Sequence, residues 1–345
     1  MNLKKILLYT APLLFAGALL WYTYRNADFA QMGTDIGRAN FVLIFLSFVP
    51  QTISHLLRAQ RWRMLLAPLG YKPGLLNTFK AVMAGYFGNM ILPRMGEVTR
   101  CGLLLKSDKI PVDASVGTVI TERALDLIML GIITTLALLL EFDKLSKFLL
   151  GMLSQKQSAD AAGNAVSSGQ PLLLYGAIAG LLVLVVVFFV FRARLMAHPI
   201  TKKITDFALG MLKGALSITK MKGTGWFILH SFLIWGGYFL TNYLTMLAFG
   251  PTSGMGLKAG LLILVIGSYG MVAPVQGGLG AYHYMVTAGL MQIYAITQAD
   301  SQSAAFLLHT VSTVYVILVG GVCFVLGLAK VADKDVAATV DPLPA

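Results

Sequence analysis

The feature that most constrains this chain is a row of apolar segments, at 6–24, 39–57, 76–93, 116–140, 171–191, 225–249, 259–274, 281–296 and 304–328. Apolar runs of about 17–25 residues, wound as helices, cross the roughly 30 Å hydrocarbon core of a bilayer. No water is present there to bond backbone groups, so a spanning segment must be a helix or part of a closed barrel. The alternating ten-residue pattern of a barrel strand is absent from this sequence. The sequence therefore predicts an all-α, polytopic helical membrane protein. Composition agrees: 57% of residues are hydrophobic and 12% charged, against about 25% charged in a soluble domain, and mean hydropathy is +0.75.

The net charge of +12 comes from 27 basic and 15 acidic residues. Cytoplasmic loops of membrane proteins collect Lys and Arg, so this excess needs no nucleic-acid partner. Cys101 and Cys323 form neither a disulfide framework nor a metal-ligand spacing, and no cofactor or metal is expected. At the N-terminus, Lys4 and Lys5 precede an apolar run that reaches Tyr24 without a polar cleavage region. That pattern favours a retained first helix over a signal peptide.

The polar joins set orientation. Arg58, Arg61, Arg63 and Lys72 place 58–75 inside, as do Lys4 and Lys5 for the N-terminus. The stretch 192–224 carries Arg192, Arg194, Lys202, Lys203, Lys213, Lys220 and Lys222 against Asp206 alone, and is also inside. Its apolar residues recur at helical spacing, as in a surface helix or one packed under the bundle. The polar linker 142–170 has little net charge and reads as outside. Segment 116–140 then runs from inside to outside, so 76–93 lies between two internal points and must enter and return. Its return limb, "EVTRCGLLLK", makes about 15 Å of helix, too short to span. In the second half, 225–249 runs inside to outside and 304–328 ends inside, before Lys330 and Lys334. The stretch between them enters from outside and returns, as a re-entrant hairpin or as two short crossings.

Both turning points carry the same phrase, Met-x-x-Pro-x-x-Gly. It occupies Met90, Pro93 and Gly96, then Met271, Pro274 and Gly277, 181 positions apart. Shifting 39–57 and 116–140 by the same interval lands on the helices that flank the second phrase. The expectation is an inverted repeat, one copy near 39–140 and the other near 225–328, within a single membrane domain at 1–330 followed by a cytoplasmic tail at 331–345. It implies about six full crossings and two broken hairpins, an architecture common among transporters. Proline removes a backbone donor and blocks the helix, and glycine permits unusual backbone. Pro93, Gly96, Pro274, Gly277, Gly278 and Gly280 therefore read as hinges. Irregular backbone at depth must be buried in protein or face a watery cavity, so two such tips imply a polar cavity between them.

The charges gather at the first tip. Arg94, Glu97 and Arg100 follow it, and Glu122, Arg123 and Asp126 open the next helix. A charge at mid-bilayer costs at least about 2.5–3.5 kcal/mol and so has a partner or a task. The arginines suit a phosphate held with Glu97, Glu122 and Asp126 orienting them; the same residues also suit a salt-bridge network locking hairpin to helix. After the second tip, His283 can carry a proton or donate to a phosphate. Gln51 and His55, one helical turn apart, can line the same cavity, and His309 is a weaker candidate. Trp62 reads as an interfacial anchor.

These phrases resemble the lysylphosphatidylglycerol synthase transmembrane-region family, flippase-like proteins related to the flippase half of the bacterial multiple peptide resistance factor. Asn89, Pro93, Gly96, Glu97 and Arg100 match its first phrase; Glu122, Arg123 and Asp126 its second; Pro274, Gly277, Gly278, Leu279 and Gly280 its third. Gln276 lies inside the third phrase. Many relatives have an acidic residue where this chain has His283. The chain ends soon after its last helix, so the family's lysyl-lipid synthesis is not expected of it. The resemblance implies a transporter or flippase of the bacterial inner membrane for an anionic phospholipid or polyprenyl-phosphate, not an enzyme. An intramembrane enzyme acting on lipid phosphates, or an accessory subunit working with envelope-biosynthesis proteins, are the competing expectations.

Overall fold

A computed structural model describes residues 3–92, 95–144 and 223–327. Its regular elements are all helical. The first group is α1 (Leu3–Tyr24), α2 (Phe29–Gly37), α3 (Phe41–Leu66), α4 (Leu75–Ile91), α5 (Met95–Asp108) and α6 (Val112–Leu140). The second is α7 (Thr224–Ala248), α8 (Leu257–Val272), α9 (Ala281–Tyr294) and α10 (Gln298–Tyr315), the last running through a π-helical turn at Val316–Gly320. These helices belong to one compact unit. The expected segment 171–191, the basic stretch up to Lys222, the tail from 331, and Pro93 and Arg94 all lie outside the described residues.

Three stretches among the described residues are long and apolar enough to cross a membrane: Phe41–Leu69, Val112–Leu140 and Gln298–Gly327. Helix α6 carries a polar group inward and an apolar face outward. Leu127, Ile128, Ile132, Leu136 and Leu139 of α6 are exposed, while its Glu122 is fully buried. Water would reverse that arrangement; hydrocarbon favours it.

Helix α3 ends nine residues later than hydropathy predicts. It continues from 57 to Leu66 because Arg58, Arg61 and Trp62 are buried on its inner face rather than solvated in a loop. Helices α3 and α7 pack closely and run antiparallel. Asn40 N–H donates to Ala248 O at 2.8 Å, Thr241 Oγ1 to Ser47 O at 3.3 Å, and Ser54 Oγ to Ile234 O at 3.2 Å. The crossing falls at Gly237, where any Cβ would run into Ser54 and the Pro50 carbonyl. The residue missing a side chain is what lets the two backbones meet.

The first broken hairpin is α4 packed on α5. Its base is closed by Asp108, whose carboxylate accepts from Gly74 N–H at 3.3 Å and Asn77 Nδ2 at 3.1 Å. Near the tip, Asn89 Oδ1 accepts from Gly96 N–H at 2.8 Å. The return limb is 14 residues long, longer than the ten expected but only about 21 Å. Gly96 is the second residue of α5, and its missing Cβ makes room for the Gly85 carbonyl and for Asn89. A Cβ on Gly85 would sit 2.9 Å from Gly96 O, and one on Gly88 would sit 3.0 Å from Thr99 Oγ1.

The second hairpin is α8 packed on α9, with 16- and 14-residue limbs. Between them Ala273–Gly280 leaves the α-helix, with a single 3₁₀ turn at Gln276–Gly278. Here the glycines are conformational: Gly277, Gly278 and Gly280 have φ of +54°, +76° and +80°, a region L-residues avoid. Helix α1 covers this break, with Ala16 against Gly280.

Packing in the two groups corresponds. Helices α3–α6 touch one another in the pairs that α7–α10 repeat, helix for helix. The cross-contacts exchange as well: α6 lies on α8, and the π-helical turn closing α10 lies on α4.

Candidate anion site

Charge is concentrated where α3, α5 and α6 meet. Glu122 and Asp126, one turn apart on α6, face α3. Arg58 Nη1 donates to Glu122 and, at 2.7 Å, to Asp126; Arg61 Nη2 donates to Asp126 at 2.5 Å. From α5, Arg100 Nη1 reaches Glu122 at 3.2 Å, and its guanidinium lies 4.5 Å over the Trp62 ring. Trp62 is fully buried and donates to Thr118 Oγ1 at 2.8 Å, so it is a floor for Arg100 and not an interfacial anchor. Arg123 points the other way and pairs at 2.9 Å with Glu97, where both side chains are partly exposed.

This cluster is deep. Glu122 lies ten residues into α6 and Asp126 fourteen, about 15 and 21 Å from the helix start. It is also unbalanced. Arg58, Arg61 and Arg100 are buried, at 3%, 0% and 4% exposure, against two carboxylates. Arg100 Nε and Nη2 and Arg61 Nε have no partner among the described residues. Each unsatisfied buried donor costs about 1–3 kcal/mol. A bound anion would remove both deficits at once.

A polar file continues from the cluster along α3. Arg58 Nε donates to Tyr238 Oη at 3.0 Å, and Tyr238 and Tyr86 hydroxyls lie 3.4 Å apart. One turn along, His55 is ringed by Tyr86, Tyr238 and Tyr315. One turn further is Gln51. His55 Nδ1 and Gln51 Oε1 are buried and have no partner among the described residues.

The sequence of the family described as "Lysylphosphatidylglycerol synthase TM region" matches residues 9–320. The chain belongs to this family. It is a membrane family, and membership covers the broken hairpins, the charged cluster and the helices between them. A "UPF0104 membrane protein" of Methanocaldococcus jannaschii is 35% identical over 86 residues, 24% of this chain and 26% of that protein. The match thus spans about a quarter of the relative's length. No solved structure matches this chain.

The residues of the first two family phrases meet in three dimensions. Glu97 joins Arg123, Arg100 joins Glu122, and Asp126 completes the cluster; Asn89 instead holds the hairpin tip. Residues of the third phrase form a second centre. Gln276 is buried there, and its Oε1 has no partner among the described residues. His283 caps the start of α9 beside His309. The two centres are linked at the tips: Met90 comes to 3.7 Å of where a Gly277 Cβ would lie. Arg58 and Arg61 were missed because they follow an apolar run and look like loop charges. For Arg58 the spacing from Gln51 and His55 was the available signal, since positions 51, 55 and 58 share one helix face; Arg61 lies beside that face.

Proposed function

We propose that this protein moves an anionic lipid, a phospholipid or a polyprenyl-phosphate, between leaflets of the cytoplasmic membrane. The observation that carries the reading is the surplus buried guanidinium: three arginines against two carboxylates, with unpartnered N–H groups on Arg100 and Arg61. The head-group phosphate binds Arg100 first and then follows the α3 file past Tyr238, His55 and Gln51 toward Gln276. Acyl or prenyl tails stay in the bilayer against the apolar outer surface. In this reading the two hairpins are re-entrant, enter from opposite faces, and belong to an inverted repeat. Arg123 and Glu97, more exposed, form the entrance. Arg94 sits next to them in sequence and extends the basic character of the first tip.

Arg100→Gln separates transport from folding, because it leaves two arginines facing two carboxylates. Purified protein in liposomes should move labelled anionic lipid, and Arg100→Gln should reduce that rate at least about tenfold while the protein stays folded. Wild-type rates in Arg100→Gln and Arg123→Ala would sink the assignment. Recovery of chemically altered lipid would instead favour an intramembrane enzyme. Movement only with a co-purified partner would favour an accessory subunit of envelope synthesis.

A further inference from the structure

The second break is held by two histidines. His309 of α10 bonds the Gly277 carbonyl through Nε2 at 2.9 Å. A carbonyl only accepts, so that nitrogen carries hydrogen. The other ring nitrogen, Nδ1, is then bare and accepts from Thr313 Oγ1 at 3.3 Å. His283, at the third position of α9, receives the Gly280 N–H on Nδ1 at 3.3 Å. A backbone N–H only donates, so this nitrogen must be bare. The ring centroids are 4.5 Å apart, and both residues are more than nine-tenths buried.

The two rings differ in what a proton would do to them. His309 can take one at Nδ1 if the Thr313 hydroxyl rotates to accept, and it keeps its bond to Gly277. His283 cannot. Its only free lone pair is the one that caps Gly280, so proton and cap compete for one site. An imidazolium there would also oppose the positive end of the α9 dipole and any charge on His309.

We propose that His283 and His309 form a proton-binding site coupled to the second break: uptake at His283 releases Gly280 and loosens the Gly277–Gly280 turn. By linkage, a closed break expels the proton. Titratable groups facing the pair are few. Tyr24 of α1 packs edge-on against His283 at 5.7 Å, and Tyr282 of α9 lies 5.2 Å from His309. Among the described residues no carboxylate lies within ion-pair reach of either ring. Asp28 and Asp35, at and beyond the cap of α2, line a surface pocket with Gln302 and Ser303, about 10 Å along α10 from His309. The α8 side contributes Met271, against Gly278, and the α4 side Met90.

The site goes beyond the transport reading, and its test needs no substrate. Amide hydrogen exchange of the full chain in nanodiscs, corrected for the intrinsic rate, is measured at about pH 8 and about pH 5. The peptide containing Gly277–His283 should exchange about tenfold faster at the lower pH. His283→Asn keeps an acceptor where Nδ1 was and cannot titrate, so its break should stay slow at both. His309→Gln keeps a donor to Gly277, and the acceleration should survive but begin at higher pH. Imidazole ¹⁵N spectra of wild-type protein should show both rings as Nε2–H tautomers at the higher pH. No acceleration in wild type, persistence of it in His283→Asn, or an Nδ1–H tautomer on His283 would each overturn the proposal.

Discussion

The first break is short and charged, and its glycine serves packing; the second is long and uncharged, and its glycines serve conformation. Gly96 sits in helix α5, where any side chain would strike the Gly85 carbonyl. Gly277 has open space around it, with the nearest atom 3.7 Å from a Cβ, but a φ of +54°. The same Met-x-x-Pro-x-x-Gly phrase thus goes with a tightly pressed helix pair in one place and a turn of left-handed glycines in the other. The arginines and carboxylates gather by the pressed hairpin, which holds them at fixed spacing. The histidines gather by the turn, where a proton can change the backbone. The two breaks come together at Met90 and Gly277.

Substitutions can break this contrast. The largest effect is expected for Glu122→Ala, which leaves three buried guanidiniums against one carboxylate. It should cost about 3–5 kcal/mol, read as thermal or denaturant unfolding in detergent, whereas Arg100→Gln should cost far less. Next is Gly96→Ala, which overpacks the α4–α5 contact by about 1–3 kcal/mol; Gly96→Asn should be worse. Gly277→Ala should cost about 1–2 kcal/mol through its left-handed backbone alone, and Gly277→Asn should recover part of that, since Asn tolerates this conformation. Equal responses of Gly96 and Gly277 to Asn would erase the distinction between the breaks. The smallest effect is Asp108→Ala, which opens the base of the first hairpin. About 1 kcal/mol, with faster exchange confined to the ends of α4 and α5, is the expected outcome.

Much of this was legible in the sequence because hydropathy and helix breakers are local signals. The place of most described helices and the helical pairing of Glu122 with Asp126 follow from spacing alone. The role of Gly96 was not legible, since a glycine needed for close approach and one needed for positive φ look identical until the neighbour is known. Arg58, Arg61 and Trp62 were misplaced for a related reason. A hydropathy window ends at the first charge, but α3 continues because its charges have partners 60 or so residues away on α6. His309 gained its place through a carbonyl 32 positions distant, a contact that no local pattern announces.

The account rests on two hairpins that enter from opposite faces. Lys72, before α4, and Lys258, at the start of α8, are exposed at the bases of the two hairpins, and the native Cys101 and Cys323 are buried. Single Lys72→Cys and Lys258→Cys proteins, treated with a membrane-impermeant maleimide in intact cells and in inverted vesicles, test this directly. Lys72→Cys should label only in inverted vesicles and Lys258→Cys only in intact cells. Labelling of both from the same side would contradict the inverted arrangement and the path built on it.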